Sequence, residues 1–211
     1  GLCIKMDLRI YSSRPGSGPG KGGAMDNIIG VDLDSIYLAA RRKGIRSYNQ
    51  MVSQGRSGNL PYLDELLLES EIATREPLGH AELPLKKVIG TYSSGRSASF
   101  ADNFMPLLGI DSEFAMKWKA VYAHQLTSGI QDPIKVYEFM NRFYVVEGNK
   151  RVSVLKFLDA SAIRGEVTRL VPKYDENDEK VKLYYEFMEF YRETHINAIW
   201  LTKPGSCGAM L

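Results

Sequence analysis

Apolar residues recur three and four positions apart from about residue 32 onward, a spacing that predicts amphipathic helices. The apolar positions of the first helix are Leu33, Ile36, Tyr37 and Ala40. We expect this helix to end near Gly44, a short second helix to cover residues 48–54, and a third to begin after Pro61. Residues 32–70 are therefore predicted to be helical.

Strand and helix patterns alternate in the remaining two thirds of the chain. Strands are predicted over residues 83–89, 134–139, 143–146 and 166–171, and helices over residues 113–126, 152–158 and 181–193. We expect Asn141-Arg142 to join the middle two strands as a hairpin. The apolar and aromatic residues predicted to face inward from the last helix are Val181, Tyr184, Tyr185, Met188 and Tyr191.

These elements predict an α+β fold in which a small mixed β-sheet is flanked by helices at both ends. The Gly- and Pro-rich stretch over residues 15–23 favours neither helix nor strand, so residues 1–25 are interpreted as a flexible N-terminal segment. Residues 26–80 are predicted to form a helical extension and residues 81–172 the α/β core. Residues 173–211 are predicted to be a C-terminal helix and tail that pack on this core.

Composition narrows the functional classes. The 211 residues carry a formal net charge of +2, too small for a protein that coats DNA through a broad positive field. The apolar runs fall far short of the ~20 residues that cross a bilayer, and we expect no membrane contact and no secretory signal. Cys3 and Cys207 form no C-x-x-C motif, which favours reduced thiols and a cytoplasmic location.

Several common catalytic sites are not expected. His80, His124 and His195 are far apart, each without a second ligand at helical or loop spacing, so no zinc site is predicted. Haem and flavin are likewise not expected, and Ser93 and Ser94 lack the glycines of a nucleophile elbow. The basic cluster of Arg41, Arg42, Lys43 and Arg46 suits the C-terminal end of the first helix, and an acidic partner is the alternative interpretation.

One junction has the composition of an anion site. Residues 147–151, Glu-Gly-Asn-Lys-Arg, lie between a predicted strand and a predicted helix. A helix that begins there leaves backbone N–H groups free at its N-terminus, where they bind phosphate or carboxylate. Lys150 and Arg151 are disfavoured at the positive end of a helix dipole unless an anion lies between them and the amides. The alternative is that both side chains reach solvent or pair with Glu147.

From residue 83 to residue 171 the chain resembles the ParB/sulfiredoxin superfamily. The resemblance rests on the strand Leu-Pro-Leu-Lys-Lys-Val-Ile-Gly, the segment Gly-Ile-Gln-Asp-Pro-Ile-Lys-Val and the strand Phe-Tyr-Val-Val-Glu-Gly. It also rests on the box Gly-Asn-Lys-Arg at residues 148–151, which opens a helix. In that superfamily the box binds nucleotide phosphates and an arginine of an earlier loop assists. The resemblance thus implies that Gly148, Asn149, Lys150, Arg151 and Arg96 bind a nucleotide such as ATP or CTP.

Departures from the family pattern limit this implication. Sulfiredoxin has a nucleophilic cysteine where this chain has Asn149, so sulfiredoxin activity is not expected. Kinase-like relatives place a carboxylate beside the phosphate, which makes Glu147 the candidate general base, with Mg²⁺ as the accompanying ion. A capping role or a pairing with Arg151 is the alternative for Glu147. Asp132 is a second carboxylate that the fold could bring near.

The whole chain is also similar to the front part of bacterial proteins grouped with BMP-type substrate-binding proteins of ABC transporters. This similarity rests on Phe-Met-Pro-Leu-Leu at residue 104, Tyr-Glu-Phe-Met-Asn at residue 137 and Tyr-Glu-Phe-Met-Glu-Phe-Tyr at residue 185. It implies that the chain is a module of a longer protein. Transporter activity is not carried over.

The sequence therefore predicts a nucleotide- or phosphate-binding domain, with nucleotide hydrolysis or kinase-like phosphoryl transfer left open. One alternative is a non-catalytic interaction or regulatory module that docks a protein partner. Another is a ParB-type, DNA-associated regulator as part of a longer protein. Acidic residues outnumber basic ones over residues 173–193, so DNA is not an expected partner of this chain alone.

Overall fold

The computed structural model describes residues 31–67 and 72–194. Its helices are α1 (Leu33–Ser53), α2 (Leu63–Leu66), α3 (Ser94–Ser97), α4 (Glu113–Thr127), α5 (Asn149–Phe157) and α6 (Glu179–Thr194). Its strands are β1 (Ile72–Pro84), β2 (Val88–Thr91), β3 (Ile134–Phe139), β4 (Arg142–Glu147) and β5 (Ala162–Pro172). The predictions for residues 1–25, Cys3, Cys207 and His195 concern positions outside the described residues.

The five strands form one mixed sheet in the order β1-β5-β3-β4-β2. The β1–β5 and β3–β4 pairs are antiparallel, whereas β5–β3 and β4–β2 are parallel. This mixed sheet with helices before, between and after the strands confirms the predicted α+β class. Because β4 is an inner strand and leads directly into α5, the predicted anion site lies at the end of a well-supported strand.

Helix α1 is longer than predicted, because Gly44 does not end it. Asp32 caps its N-terminus by accepting hydrogen bonds from the amides of Asp34 and Ser35. Gly44 is buried where α1 packs against Met105 and Pro106, and a Cβ there would lie 2.6 Å from the carbonyl oxygen of Pro106. The glycine therefore permits a close approach between segments, and the separate helix predicted over residues 48–54 is the end of α1.

This extension changes the interpretation of the basic cluster, which lies inside α1 and not at its C-terminal end. Arg41 donates from Nε to the carbonyl oxygen of Leu107 at 3.0 Å. The ammonium of Lys43 lies 4.9 Å from the centroid of the Phe157 ring. Two of the four cations of the basic cluster thus contact neighbouring segments of the same fold.

The strand predicted over residues 83–89 was wrong in its bounds. Strand β1 ends at Pro84, a single 3-10 turn covers Leu85–Lys87, and β2 begins at Val88. Strand β1 begins at Ile72, inside the region predicted to be helical, and most of its residues are exposed. A strand with so little burial has no apolar alternation to reveal it, and its long antiparallel pairing with β5 supplies its backbone hydrogen bonds.

The hairpin and α6 follow the prediction with small shifts. The β3–β4 turn is made by Met140 and Asn141, whose φ angles of 51° and 60° are those of a type I′ turn, so Arg142 already belongs to β4. The buried side of α6 carries Val181, Tyr184, Phe187 and Phe190, in place of the stripe that included Tyr185, Met188 and Tyr191.

None of the helices in the described part of the chain combines the length and the apolar composition that a membrane-spanning helix needs.

The main hydrophobic core packs the sheet against α5 and the segment before α4. Its members include Leu83, Phe100, Phe104, Ile134, Val136, Val145, Val152 and Leu155. Helix α4 joins this layer through Trp118, whose indole N–H donates to Ser153 Oγ of α5 at 2.8 Å. The N-terminal turn of α5 is consequently held from two sides, by the sheet and by α4.

Candidate anion-binding site

A cavity of about 250 Å³ lies at the junction of β4 and α5. The six residues singled out from the sequence all border it: Arg96, Glu147, Gly148, Asn149, Lys150 and Arg151. Its other lining residues are Ser99, Phe100, Phe114, Val121 and Val146. The fold thus brings Arg96, which is 51 positions before Glu147 in the sequence, to the same cavity as the box.

Gly148 makes the sharp change of direction from strand to helix. Its φ of 105° lies in the left-handed region, which side chains with a Cβ rarely adopt. A Cβ at this position would also lie 2.5 Å from Cγ2 of Ile134, on the neighbouring strand. Conformation and space therefore both require glycine, and the turn leaves room in front of the helix.

The first turn of α5 presents hydrogen-bond donors and contains no acidic residue. The amide of Val152 donates to the carbonyl oxygen of Gly148 at 3.1 Å, which is the first hydrogen bond of the helix. The amides of Asn149, Lys150 and Arg151 precede it and have no intrahelical acceptor. Because this turn contains no Asp or Glu, its partial positive charge has no anionic side chain on the helix itself.

Two further cations increase the positive potential around Lys150. Burial lowers the pKa of Lys150 below its usual range, and the charges of Arg96 and Lys117 lower it further, against a smaller opposing effect of Glu113. The ammonium lies 4.6 Å from the centroid of the Phe114 ring. Lys150 is thus held near the cavity by an aromatic contact while like charges crowd it, and a bound anion would relieve that repulsion.

Asn149 carries an unsatisfied acceptor. The residue is 8% exposed, and its Oδ1 is buried without a hydrogen-bond partner. Among the described residues it is the one buried side-chain polar atom in this condition. A buried polar atom left unpaired lowers the free energy of unfolding by about 1–3 kcal/mol, so a hydrogen-bond donor that reached Oδ1 would be stabilising.

Arg151 hydrogen-bonds to the main chain of the segment before β3. Its Nη1 donates to the carbonyl oxygens of Asp132 at 2.9 Å and Pro133 at 2.7 Å, and its Nη2 lies 3.5 Å from Glu147 Oε1. These contacts tie the segment before β3 to the first turn of α5. Asp132 therefore meets the site through its main chain, as an acceptor for Arg151.

Glu147 is at the mouth of the cavity. Its side chain is 61% exposed and lies 3.7 Å from Lys135 Nζ and 3.5 Å from Arg151 Nη2. The pairing with Arg151 is the alternative that the sequence left open for this carboxylate. No group of three or more His, Cys, Asp or Glu residues that could hold a metal ion occurs within residues 31–67 and 72–194.

Part of the cavity lining is apolar. Phe114 and Val121 project from α4, and Phe100 and Val146 complete the surface. The periodicity of α4 marked Phe114 and Val121 as core residues, and both are only partly buried because they also face the cavity. Lys117 was missed altogether, although it lies one helical turn after Phe114 and four residues before Val121 on the same helix.

The Gly/Ser-rich segment of residues 90–97, which ends in α3, brings Arg96 to the cavity. Arg96 borders the cavity, and α3 is anchored by Ser97, whose Oγ donates to the carbonyl oxygen of Leu60 at 2.5 Å. Thr91, at the start of the loop, donates from Oγ1 to the carbonyl oxygen of Val145 at 3.1 Å. Both contacts hold the loop against β4 and the core, so Arg96 is presented from a supported segment.

Comparison with known proteins adds a structural similarity. A solved structure of sulfiredoxin from Arabidopsis thaliana shares 25% sequence identity with this chain, covers 42% of it and 82% of its own chain, and superposes with a TM-score of 0.29. No family model matches the chain, and no curated protein matches it. The resemblances to ParB proteins and to the BMP-type proteins stay predictions.

Proposed function

We propose that this domain binds the phosphate groups of a nucleotide, ATP or CTP, at the cavity between β4 and α5. The observation that carries the proposal is the meeting of two cations, Arg96 and Lys150, with the free amides of the first turn of α5 at one cavity. Phosphate oxygens accept hydrogen bonds from such amides, and the helix dipole favours their charge.

Each group has a distinct part in this binding. The amides of Asn149, Lys150 and Arg151 donate to the phosphate oxygens, and Gly148 keeps the approach to them open. Lys150 contributes a point charge and Arg96 a planar, forked one. Arg151 positions these groups by fixing the segment before β3, and it retains donors beyond those given to Asp132 and Pro133.

The apolar wall suits the remainder of a nucleotide. Phe114, Val121 and Val146 offer a surface against which a sugar or base loses contact with water. Val146 is 41% exposed and borders the cavity. A ligand that combines an anion with an apolar face matches the two sides of the cavity better than a small anion does.

Titration calorimetry with ATP, CTP and inorganic phosphate, each with and without Mg²⁺, tests the proposal. We expect saturable binding of a nucleotide, weakened about tenfold or more in Arg96→Gln and in Lys150→Gln, since each variant removes a charge that contacts phosphate. Arg46→Gln, which removes an exposed cation of α1, is the matched control and should bind as the unaltered protein does. Absence of binding, or equal affinities in all variants, would overturn the proposal.

Hydrolysis or phosphoryl transfer is the second part of the proposal. Glu147 lies beside the box and would act as general base, with Mg²⁺ held largely by the phosphates themselves. Phosphate release from ATP or CTP with Mg²⁺ should be measurable in the unaltered protein and lost in Glu147→Gln, whose nucleotide affinity should be retained. Release at the unaltered rate in Glu147→Gln would remove this residue as the base, and no release at all would leave a binding domain.

A further inference from the structure

We infer that Asn149 selects a phosphate ester whose sugar carries a hydroxyl group, and that its Oδ1 accepts the hydrogen bond of that hydroxyl. The inference rests on the proposed function and narrows it to the class of ligand. It concerns the deep end of the cavity, where the first residue of α5 borders the space in front of the helix.

Asn149 has two polar groups without a hydrogen-bond partner, one a donor and the other an acceptor. The backbone N–H of Asn149 needs an acceptor, because it is in the first turn of α5. Its buried side-chain oxygen needs a donor. Only a few covalent bonds separate the two groups, so a ligand that satisfies both must carry an acceptor and a donor close to each other.

A phosphate group alone does not meet this requirement. A fully ionised phosphate group has only acceptor oxygens, which suit the amides, Arg96 and Lys150 but repel the lone pairs of Oδ1. A sugar hydroxyl near the phosphate supplies the missing O–H. Ribose phosphates combine the two groups within one small unit.

The size of the cavity agrees with such a unit. Ligand pockets for drug-sized molecules have volumes of about 300–1,000 Å³, and this cavity has about 250 Å³. It therefore accommodates a sugar phosphate more readily than an entire nucleotide. The base would extend to the mouth, against Val146.

Binding requires a small movement of the side chain. Oδ1 is shielded from solvent, although Asn149 itself borders the cavity. A rotation about the side-chain torsions turns the amide oxygen toward the ligand. Since Oδ1 has no hydrogen-bond partner, this rotation breaks no hydrogen bond of that atom.

Titration calorimetry with a matched pair of ligands tests the inference. The pair is the nucleotide that binds and its 2′,3′-dideoxy analogue, which keeps the base and the phosphates but has no sugar hydroxyl. We expect the unaltered protein to bind the hydroxylated ligand about tenfold more tightly, the ratio that a buried hydrogen bond supports. In Asn149→Leu, of similar volume but without an acceptor, the ratio should fall to about one while the affinity for the dideoxy analogue is retained.

A control variant, a second Asn149 variant and a second ligand pair make each result interpretable. Ser99→Ala removes the hydroxyl of another cavity-lining residue and should preserve the preference. Asn149→Ala serves as the second variant if Asn149→Leu does not fold, and it should lose the preference as well. Ribose 5-phosphate and 2-deoxyribose 5-phosphate show whether the sugar phosphate alone is recognised.

The outcomes separate the inference from the proposed function. Equal affinities of the two nucleotides for the unaltered protein would overturn the role of Asn149 and leave phosphate binding intact. A preference that persists in both Asn149 variants would have the same meaning. If no nucleotide and no inorganic phosphate binds, the proposed function fails, and the inference fails with it.

Discussion

Arg151 donates a hydrogen bond from Nη1 to the carbonyl oxygen of Pro133 at 2.7 Å, and from the same nitrogen to that of Asp132 at 2.9 Å. The side chain of a helix N-terminus thus fixes the main chain that leads into a central strand. In the sequence this arginine was a candidate phosphate ligand, with a pairing to Glu147 as the alternative. The two carbonyl contacts join residues that are 18 and 19 positions apart, which the local pattern does not reveal.

We expect Arg151→Ala to lower the free energy of unfolding by about 1.5 kcal/mol, because charge-assisted hydrogen bonds to carbonyl groups contribute about that much when partly exposed. Urea unfolding followed by circular dichroism measures the change. Arg151→Lys should recover only part of it, since one ammonium group cannot reproduce the planar donor pair. An unchanged unfolding midpoint in Arg151→Ala would show that the contacts do not support the fold.

Gly148→Ala should destabilise the protein by about 2 kcal/mol or more. The new Cβ would lie 2.5 Å from Ile134 Cγ2, and the φ of 105° is unfavourable for alanine. Gly95→Ala is the matched control, because a Cβ there meets no atom within 4 Å. Thermal unfolding of both variants compares them, and equal melting temperatures would contradict the steric argument.

Glu138 and Arg169 form a buried ion pair at 2.5 Å between β3 and β5. Arg169→Met leaves the Glu138 carboxylate in the core without its cation, and we expect it to cost about 3–5 kcal/mol. The double variant Arg169→Met with Glu138→Gln should be more stable than Arg169→Met. Glutamine removes the charge but can still accept a hydrogen bond from Tyr184, whose hydroxyl lies 2.9 Å and 3.1 Å from the Glu138 oxygens. Denaturant midpoints of the three proteins give the comparison, and a double variant no more stable than the single one would contradict the role of the buried charge.

The burial of Lys87 should make the free energy of unfolding depend on pH. Its side chain is 1% exposed, and burial lowers its pKa from an ordinary 10.5 to about 8. Between these values the unfolded chain holds more protons than the folded one, so the free energy of unfolding should rise as the pH increases from about 8 toward 10. Lys156, whose pKa burial also lowers to about 8, adds to the same trend.

Urea unfolding at several values in this pH window measures the slope. Lys87→Met should reduce the slope without abolishing it, because Lys156 continues to contribute. The variant has the advantage of a similar length and no charge. A slope identical to that of the unaltered protein would mean that Lys87 does not titrate in this range.

Local patterns predicted much of the architecture. The bounds of α4 and β3, the hairpin and the sharp turn into α5 follow from side-chain periodicity and from glycine at residue 148. The errors have physical causes. Gly44 was interpreted as a helix end, but packing against Pro106 outweighs its low helix propensity, and β1 depends on pairing with β5 that leaves no apolar signal.

By itself the sequence determined which groups are offered along β4 and α5: a carboxylate, a glycine, an amide and two cations in consecutive positions. Their order is local, and a strand that enters a helix exposes amides wherever it occurs. Only the tertiary structure decided what these groups meet. Arg96 and Phe114 come to Lys150 from other elements, Arg151 is engaged by the chain before β3, and Asn149 Oδ1 is buried without a partner. These relationships depend on packing between segments far apart in the chain, which spacing within one segment does not specify.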